Sequence, residues 1–353
     1  MIPAETLDSK PWEAPFWKPA RGKEGVFFYL VAIHVIAAVG LVLFPIPSMP
    51  VFLVALGVAM LGGFGTTVCY HRSLSHRTVK LNPALEHFLI FWTMFNGSGS
   101  PQSWSAYHRR HHARSDTVED ISSPQHGGFW WAHLRWLYQS AKADVKRWAP
   151  DLDRPQYRFW TYVEVPVIVL ALFIGLAWSW EAFFWVGAIR MVYSLHLQCL
   201  VNSIMHMGPV PEDGDSSKNL WWAGPLQLTA WGENWHRNHH AEAHSAQFGR
   251  NWRETDLGWY AIRTLERLGL AWDVRRSRFA AASETAGATA VAAVSAAVAG
   301  TREALDAAAT GTREAFDAAA AGTREAFDAA GDALDAAVRE VVGEPVPEAG
   351  GAA

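Results

Sequence analysis

The stretch VFFYLVAIHVIAAVGLVLF at residues 26–44, followed after the connector PIPSMP by PVFLVALGVAMLGGFGTTVC at 50–69, decides the fold. A helix of about 20 residues is about 30 Å long, which is the thickness of the hydrocarbon core of a bilayer. Two more apolar runs of this length follow at about 160–179 and 182–204. The sequence therefore predicts an all-α integral membrane protein with four transmembrane helices, arranged as two hairpins.

The distribution of Lys and Arg predicts the orientation of these helices. The connectors at 45–50 and around WSWEA at 178–182 contain no Lys or Arg, whereas the N-terminal segment 1–25 carries four and the segments 71–159 and 206–280 are rich in arginine. Cytoplasmic loops are enriched in Lys and Arg. We therefore expect a multi-pass protein with both termini on the cytoplasmic side.

Three histidine clusters lie in the segments predicted to be cytoplasmic, and a further histidine closes the fourth apolar run. They are HRSLSH at 71–76, HRRHH at 108–112, HRNHH at 236–240, and His206 of NSIMH. Imidazole is a good ligand for iron, zinc and copper, and nine such ligands exceed what one metal ion uses. The sequence therefore predicts a helical cytoplasmic domain with a site for two metal ions.

The spacing within each cluster predicts local structure. Histidines at positions i, i+3 and i+4 share one helix face, as in the second and third clusters. His71 and His76 are five residues apart, which is a rotation of roughly 140° at about 3.6 residues per turn. They converge only if the helix bends or ends there, so we expect a helix boundary at this point.

Several other polar residues are expected to be structural. Arg190, inside the fourth apolar run, either extends to the interface or pairs with a polar neighbour. Cys69 and Cys199 are expected to be packed thiols in membrane helices. Ordinary packed or interfacial positions are expected for the remaining histidines, which are His34, His87, His126, His133, His196 and His244.

The clusters and their surroundings resemble the membrane fatty acyl desaturases, the family that includes acyl-CoA and acyl-lipid Δ9 desaturases. The resemblance covers about residues 50–275. Besides the histidines, it rests on HRRHHARSD followed by GGFWWAHLRW, on NSIMH, on GENWHRNHH, and on the closing stretch DLGWYAIRTLERLGLAWDVR.

The resemblance implies an enzyme with two iron ions as cofactors and O₂ as co-substrate, which introduces a cis double bond, at Δ9, into a long-chain saturated acyl group carried by coenzyme A or a lipid. By position, the family's ligands for one iron fall on His71, His76, His108, His112 and His239. Those for the other iron fall on His111, His206, His236 and His240, with Asn202 holding a water. The division between the two irons is the more open part of this assignment.

Residues beside the clusters are candidates for supporting roles. Four carboxylates are expected either to orient the histidines or to be solvated loop residues: Asp116, Glu119, Asp120 and Glu233. Trp104, four residues before His108, is a candidate substrate contact. Two departures from the family pattern, Asn234 in GEN and the stretch DISSP at 120–124, are expected near the substrate headgroup.

The sequence also indicates partners and alternatives. It has no cysteine cluster, haem-attachment motif or dinucleotide-binding GxGxxG, so a separate ferredoxin or cytochrome b5-like electron donor, with its reductase, is expected. Membrane lipid is expected around the helices, and no nucleic-acid reading motif is present. The alternative activities are an acyl-chain hydroxylase of the same superfamily and, more remotely, a non-catalytic zinc-binding membrane protein.

The composition changes at about residue 281, which divides a membrane domain (26–280) from an alanine-rich tail (281–353). GTREALDAAAT, GTREAFDAAAA and GTREAFDAAG begin at 300, 311 and 322, which is an 11-residue repeat. The tail has 12 Asp and Glu against four Arg and a glycine in each repeat, so it is expected to be partly helical or disordered. The alternative is a helix that lies on lipid or on another protein.

Overall fold

The computed structural model describes residues 10–212, 214–221, 226–251 and 253–281, with scattered residues between 291 and 332. The chain divides into two compact units. The first comprises Met1–Gly249 with Glu254–Arg275, and the second comprises Arg250–Arg253 with Arg276–Ala353. The histidine clusters and the apolar runs belong to the first unit. The repeats of the tail fall largely outside the described residues, and their predicted character stays a prediction.

Helices make up most of the first unit. The α-helices are α1 (Glu24–Leu43), α2 (Met49–Phe64), α3 (Pro83–Phe95), α4 (Pro101–Arg114), α5 (Pro124–Trp130), α6 (Trp136–Gln139), α7 (Val145–Trp148), α8 (Pro155–Tyr162), α9 (Glu164–Phe173), α10 (Trp180–Ala182), α11 (Arg190–Ser203), α12 (Leu226–Thr229), α13 (His236–Ala241) and α14 (Leu257–Arg267). π-Helical segments are Gly65–Ser75, Trp131–Arg135 and Phe183–Ile189. Short 3₁₀ segments are Pro11–Glu13, Pro150–Leu152, Ile174–Ala177 and Ile204–His206. Two strands, β1 (Lys80–Leu81) and β2 (Ala271–Trp272), pair antiparallel.

Among the described residues, three continuous helices are long and apolar enough to cross a membrane. They are Glu24–Leu43, Met49–Ser75 and Trp180–His206. Pro155–Tyr162 and Glu164–Ala177 meet at a bend of 46° and pass the same test together, so the pair makes a fourth candidate. The prediction of a mostly helical protein with several membrane helices is confirmed, and the number four and the orientation stay predictions.

Exposed apolar side chains along these helices fit contact with lipid. On α1, Val31, Val35, Val39 and Val42 are all exposed. In water such a stripe would be costly, because burying apolar surface is worth about 25 cal/mol per Å². The opposite side of α1 is buried and packs against the π-helical segment of the fourth apolar run, where Gly40 meets Phe184.

Arg190 is buried within the fourth run and is paired. Its guanidinium donates to the side-chain oxygen of Asn96 and to the carbonyls of Phe95 and Val186. Of the two arrangements that the sequence left open, the structure has the paired one. Both cysteines are buried and free, as expected.

The segment after the first histidine cluster is tied to the end of the first unit. β1 pairs with β2, the N–H of Asn82 donates to the carbonyl of Leu270, and the N–H of Arg275 donates to the carbonyl of Thr78. Asn82 also caps α3, since its side chain accepts from the N–H of Ala84. The C-terminal part of the unit therefore lies beside the chain that carries His71 and His76.

Candidate metal centre

The first group of histidines brings together five side chains from all three clusters. Their ligand atoms lie within 4.8 Å of one another, and the members are His71, His76, His108, His112 and His239. The Nε2 atom of His239 is 3.0 Å from that of His71 and 2.9 Å from that of His112. The Nε2 atoms of His76 and His108 are 2.7 Å apart. Five rings therefore aim the same kind of nitrogen at one small volume.

The second group contains the other four predicted ligands. His111, His206, His236 and His240 also have ligand atoms within 4.8 Å of one another. The Nε2–Nε2 distances are 2.9 Å between His206 and His236 and 3.3 Å between His111 and His240. The two groups contain the same residues as the two ligand sets implied by the resemblance.

The local backbone explains how His71 and His76 reach one point. Gly65–Ser75 is π-helical, and the N–H of His76 donates to the carbonyl of His71 at 3.0 Å. In a π-helix the hydrogen bond links residues five apart, so these two rings lie on the same side of the chain. The helix then ends at Ser75, which confirms the expected boundary.

The other ligand-bearing elements follow the predicted spacing. α4 carries His108, His111 and His112 near its C-terminal end, and α13 begins at His236. Residues at i, i+3 and i+4 share a face, and each helix divides its three histidines between the two groups. His206 closes the 3₁₀ turn that follows α11.

Within the described ranges of the chain, a carboxylate faces the Nδ1 atom of four of the nine histidines. The oxygen–Nδ1 distances are 2.6 Å for Glu233 and His71, 2.8 Å for Asp120 and His111, 3.4 Å for Asp215 and His240, and 3.5 Å for Asp116 and His206. An acceptor at Nδ1 holds the ring proton there and leaves the lone pair on Nε2. The carboxylates therefore orient rings for metal binding.

The loop at 115–123 is organised to hold two of these carboxylates. Asp120 accepts from the backbone N–H groups of Asp116 and Ser122, and Asp116 accepts from Ser123 and from the N–H of Ser216. Both aspartates are buried. The two serines of DISSP thus support carboxylates that contact His111 and His206.

The four carboxylates expected either to orient histidines or to be solvated loop residues do not all have the same role. Asp116, Asp120 and Glu233 contact histidines, whereas Glu119 pairs with Arg114 near the surface. For Glu119 the structure therefore has the solvated-loop alternative. Asp215 was missed, because it lies 21 residues before His236 in the loop PEDGD, where no spacing relates it to a cluster.

Burial and the neighbouring rings hold the pKa of six histidines well below 6.5. They are His76, His108, His112, His236, His239 and His240. His111 differs: burial opposes its protonation, but the charges of Asp120, Asp116 and Asp215 outweigh this and raise its pKa. At neutral pH most of the rings are therefore neutral, which is the form that binds a metal.

The donor set fits two metal ions. Neutral rings with Nδ1 protonated would aim several Nε2 lone pairs at one another, an arrangement that a cation between them stabilises. Histidine nitrogen suits iron, copper, zinc and nickel. These residues therefore fit two transition-metal ions.

Trp104 and Asn202 are the other two candidate site residues. The Trp104 ring stacks on His108 at a centroid distance of 4.9 Å and lies 5.8 Å from His71. Asn202 is half-buried on the last turn of α11, four residues before His206. The substrate contact of Trp104 and the water held by Asn202 stay predictions.

Three of the remaining histidines form a hydrogen-bonded chain apart from the two groups. His34 and His196 are 3.0 Å apart, His196 and His133 are 2.8 Å apart, and His133 is 2.9 Å from Ser203. The carbonyl of Leu30 accepts from His34. His133 is buried and the other two are half-buried, which confirms the expectation of packed residues for these three.

Comparison with known proteins gives consistent matches over the region that carries the two groups. The family model described as "Fatty acid desaturase" matches residues 47–275. The sn-1 stearoyl-lipid 9-desaturase of Synechocystis sp. is 33% identical over 290 residues, which are 78% of this chain and 85% of that protein. The Delta-9 acyl-lipid desaturase 2 of Arabidopsis thaliana is 36% identical, over 61% of this chain and 71% of that protein. The acyl-CoA C20 Delta5-desaturase of Anemone leveillei is 38% identical, over 62% and 71% respectively.

Proposed function

This chain belongs to the fatty acid desaturase family, and we propose that it introduces a cis double bond at the Δ9 position of a long-chain saturated acyl group. The overall reaction consumes the acyl chain, O₂, two electrons and two protons, and yields the unsaturated chain and two waters. The enzyme is thus an oxidoreductase that needs an external electron donor.

The observation that carries this proposal is the convergence of nine histidines in two groups of five and four. A structural zinc site uses four ligands in a tetrahedron. Nine ligands in two adjacent groups are more than such a site needs, which favours a catalytic pair of metal ions. Two iron ions held there would supply the activation of O₂ and the removal of hydrogen from an unactivated methylene pair.

The chain's own residues prepare the site for that chemistry. The ligand rings are neutral donors, so they leave more positive charge on a metal than a carboxylate shell would. The carboxylates of Glu233, Asp120, Asp215 and Asp116 keep protons on Nδ1 and fix the ring orientation. The buried position of most ligands excludes bulk water, which protects the substrate from side reactions.

We place the acyl chain beside Trp104. This ring stacks on His108 and also contacts His71, so it forms an apolar wall next to the five-histidine group. An aromatic wall restricts how an acyl chain passes the metals, and that restriction selects the carbon that is oxidised. We also propose that Asn202 holds a water beside the four-histidine group, because it lies about one helical turn before His206.

The names of the relatives support a position for the double bond and leave the carrier open. Two of the three described above are named as 9-desaturases of lipid-linked chains, and the third as an acyl-CoA Δ5-desaturase. These names favour Δ9 and leave both carriers, lipid and coenzyme A, as substrates to test.

We propose a cytoplasmic metal site and cytoplasmic termini, with four membrane spans. The support is the absence of Lys and Arg from the two short connectors and their abundance beside the histidine clusters. A ferredoxin or a cytochrome b5-like protein, reduced by its own reductase, would then supply electrons from the cytoplasm.

The test is the fatty-acid profile of an aerobic host that expresses the intact chain, beside the same host with the His111→Ala variant. Gas chromatography with double-bond location should show new Δ9 monounsaturated chains with the intact protein alone. Both proteins must be present in the membrane in equal amounts, and a compatible electron donor is co-expressed.

Three outcomes would contradict the proposal. Hydroxylated chains would indicate the acyl hydroxylase instead. The same amount of unsaturated chains with His111→Ala as with the intact protein would show that His111 is not a required metal ligand. No new acyl product in the presence of the donor would overturn the activity itself.

A further inference from the structure

Arg72 lies inside the first histidine cluster, directly after His71, and its side chain is fully buried. Its Nη2 atom donates to both carboxylate oxygens of Asp256, at 2.9 and 3.1 Å, and its Nε atom donates to the carbonyl of Ala246 at 2.9 Å. Its Nη1 atom donates to Thr67 and lies 3.4 Å from Glu233. All three nitrogen atoms of the guanidinium therefore donate hydrogen bonds.

Asp256 is buried as well and is fixed from its own side. It caps α14, because its carboxylate accepts from the backbone N–H of Trp259 at 2.9 Å. It also accepts from the N–H of Phe248 at 2.8 Å. The ion pair between the Arg72 Nη2 atom and the Asp256 carboxylate thus joins the first histidine cluster to Phe248 and to the start of α14.

Two groups that touch Arg72 also touch histidines of the five-histidine group. Glu233 accepts from the Nδ1 of His71 and from the hydroxyl of Thr67. The ring of Phe248 lies 3.7 Å beneath the Arg72 guanidinium, 4.4 Å from the ring of His239 and 5.2 Å from that of His71. A single buried cation is therefore in contact with the supports of two ligands that come from different clusters.

We propose that Arg72 and Asp256 are positioning residues for the five-histidine group. Together they hold Glu233 against the Nδ1 of His71 and hold Phe248 against His239, so that both Nε2 atoms stay aimed at one point. This inference rests on the proposed function, since it assumes that the group binds an iron ion.

Geometry, and not charge alone, is what the site requires of residue 72. The guanidinium is a planar fork whose three nitrogens donate to Asp256, Ala246 and Thr67. Its face stacks on the ring of Phe248, whereas a lysine ammonium is a point charge. Arg72→Lys keeps the charge and loses the fork. A purely structural role for Arg72 would lower stability in this variant and leave the metal affinity unchanged.

Arg190→Lys is the matched control. Arg190 is also a buried arginine, held by Asn96 and by backbone carbonyls and lying near the ring of Phe95, but none of these residues belongs to either histidine group. Both variants should lower the thermal stability of the protein. Only the change at residue 72 should alter the metal site.

The experiment is titration of the metal-free, full-length protein in detergent with ferrous iron, for the wild type, Arg72→Lys, Asp256→Asn and Arg190→Lys. We expect the affinity of one of the two iron sites to fall about ten- to hundred-fold in Arg72→Lys and Asp256→Asn, which is the usual effect of removing a residue that orients a ligand. We expect Arg190→Lys to bind iron with wild-type affinity. In active preparations, Arg72→Lys and Asp256→Asn should have a lower kcat and an unchanged KM.

The outcomes separate this inference from the proposed function. Two iron sites of wild-type affinity in Arg72→Lys, or an equal loss in Arg190→Lys, would overturn the positioning role. A wild-type protein that binds no iron would overturn the proposed function instead. If Arg72→Lys does not fold, Phe248→Leu replaces it, because this change removes the ring between Arg72 and His239 without changing any charge. A lower affinity of one iron site in Phe248→Leu would support the positioning role, and wild-type affinity of both sites would overturn it.

Discussion

His111 and His112 are neighbours in the sequence but belong to different groups and have different surroundings. His111 contacts the buried carboxylate of Asp120, and the charges around it raise its pKa. Burial and the neighbouring rings lower the pKa of His112. The two histidines therefore differ in how strongly the protein orients and polarises them.

Asp120→Asn tests the role of these carboxylates. Asparagine keeps the shape and an acceptor oxygen but removes the charge that polarises His111, so we expect a fall of about ten- to hundred-fold in iron affinity or kcat. The measurement is iron content and steady-state desaturation by the purified variant.

Glu119→Gln is the control for that prediction. Glu119 lies next to Asp120 in the sequence but pairs with Arg114 near the surface. Surface substitutions of this kind usually change stability by less than about 0.5 kcal/mol. We expect Glu119→Gln to keep wild-type iron affinity and kcat. An equal loss of iron affinity or kcat in both variants would mean that the metal site depends on the structure of the loop and not on the Asp120 carboxylate.

Sequence reasoning at the residue scale identified the histidines but not all of their partners. The histidines were found because they occur in clusters, two of which have the helical spacing i, i+3 and i+4. Asp215 lies in a loop and Asp256 caps α14, so no sequence spacing relates either residue to the clusters. Arg72 is inside a cluster, yet only its contacts reveal that its side chain turns away from the two histidine groups toward Asp256.

At the scale of elements, the π-helix Gly65–Ser75 is the main feature that the sequence did not predict. The five-residue spacing of His71 and His76 indicated a bend or an end, and the structure has both a changed hydrogen-bond pattern and an end. Propensities do not distinguish an α-helix from a π-helix, because the same apolar residues suit both. The bend at Tyr162–Glu164 in the predicted third span was likewise not predicted.

The contact between α1 and the fourth apolar run gives a prediction at the same scale. A Cβ added at Gly40 would lie 2.6 Å from the Cβ of Phe184, an overlap that only a shift of one helix can relieve. We expect Gly40→Ala to lower the free energy of unfolding by about 1–3 kcal/mol, the usual cost of overpacking.

Gly57→Ala, in α2, is the matched control for this contact. In the described part of the chain, no atom outside the adjoining turns of α2 lies within 4 Å of an added Cβ there. Alanine is favoured over glycine inside a helix by roughly 0.5–1 kcal/mol, so this variant should be as stable as the wild type or more stable. Thermal unfolding in detergent compares the two, and an equal melting temperature for both variants would contradict the proposed close packing.

At the scale of the whole molecule, two short connectors and long polar segments place all nine histidines in one region. Each histidine cluster follows an apolar run or lies in the polar segments between the runs, so the order of runs and clusters already indicated convergence. This is why the fold class and the convergence of the nine histidines could be predicted from the sequence, whereas their division into two groups was implied by the resemblance to the desaturases. The side of the membrane and the tail at 281–353 rest on the sequence alone.

The measurement that tests the central claim most directly is the metal content of the aerobically purified protein, beside variants that each remove a ligand from one group. We expect about two iron ions per chain in the wild type and about one in each of His108→Ala and His236→Ala, because each variant weakens a different group. Retention of the protein in the membrane, with similar helix content by circular dichroism, shows that the variants fold. A wild type that holds a single zinc ion, or variants that keep both irons, would contradict the assignment of two iron sites.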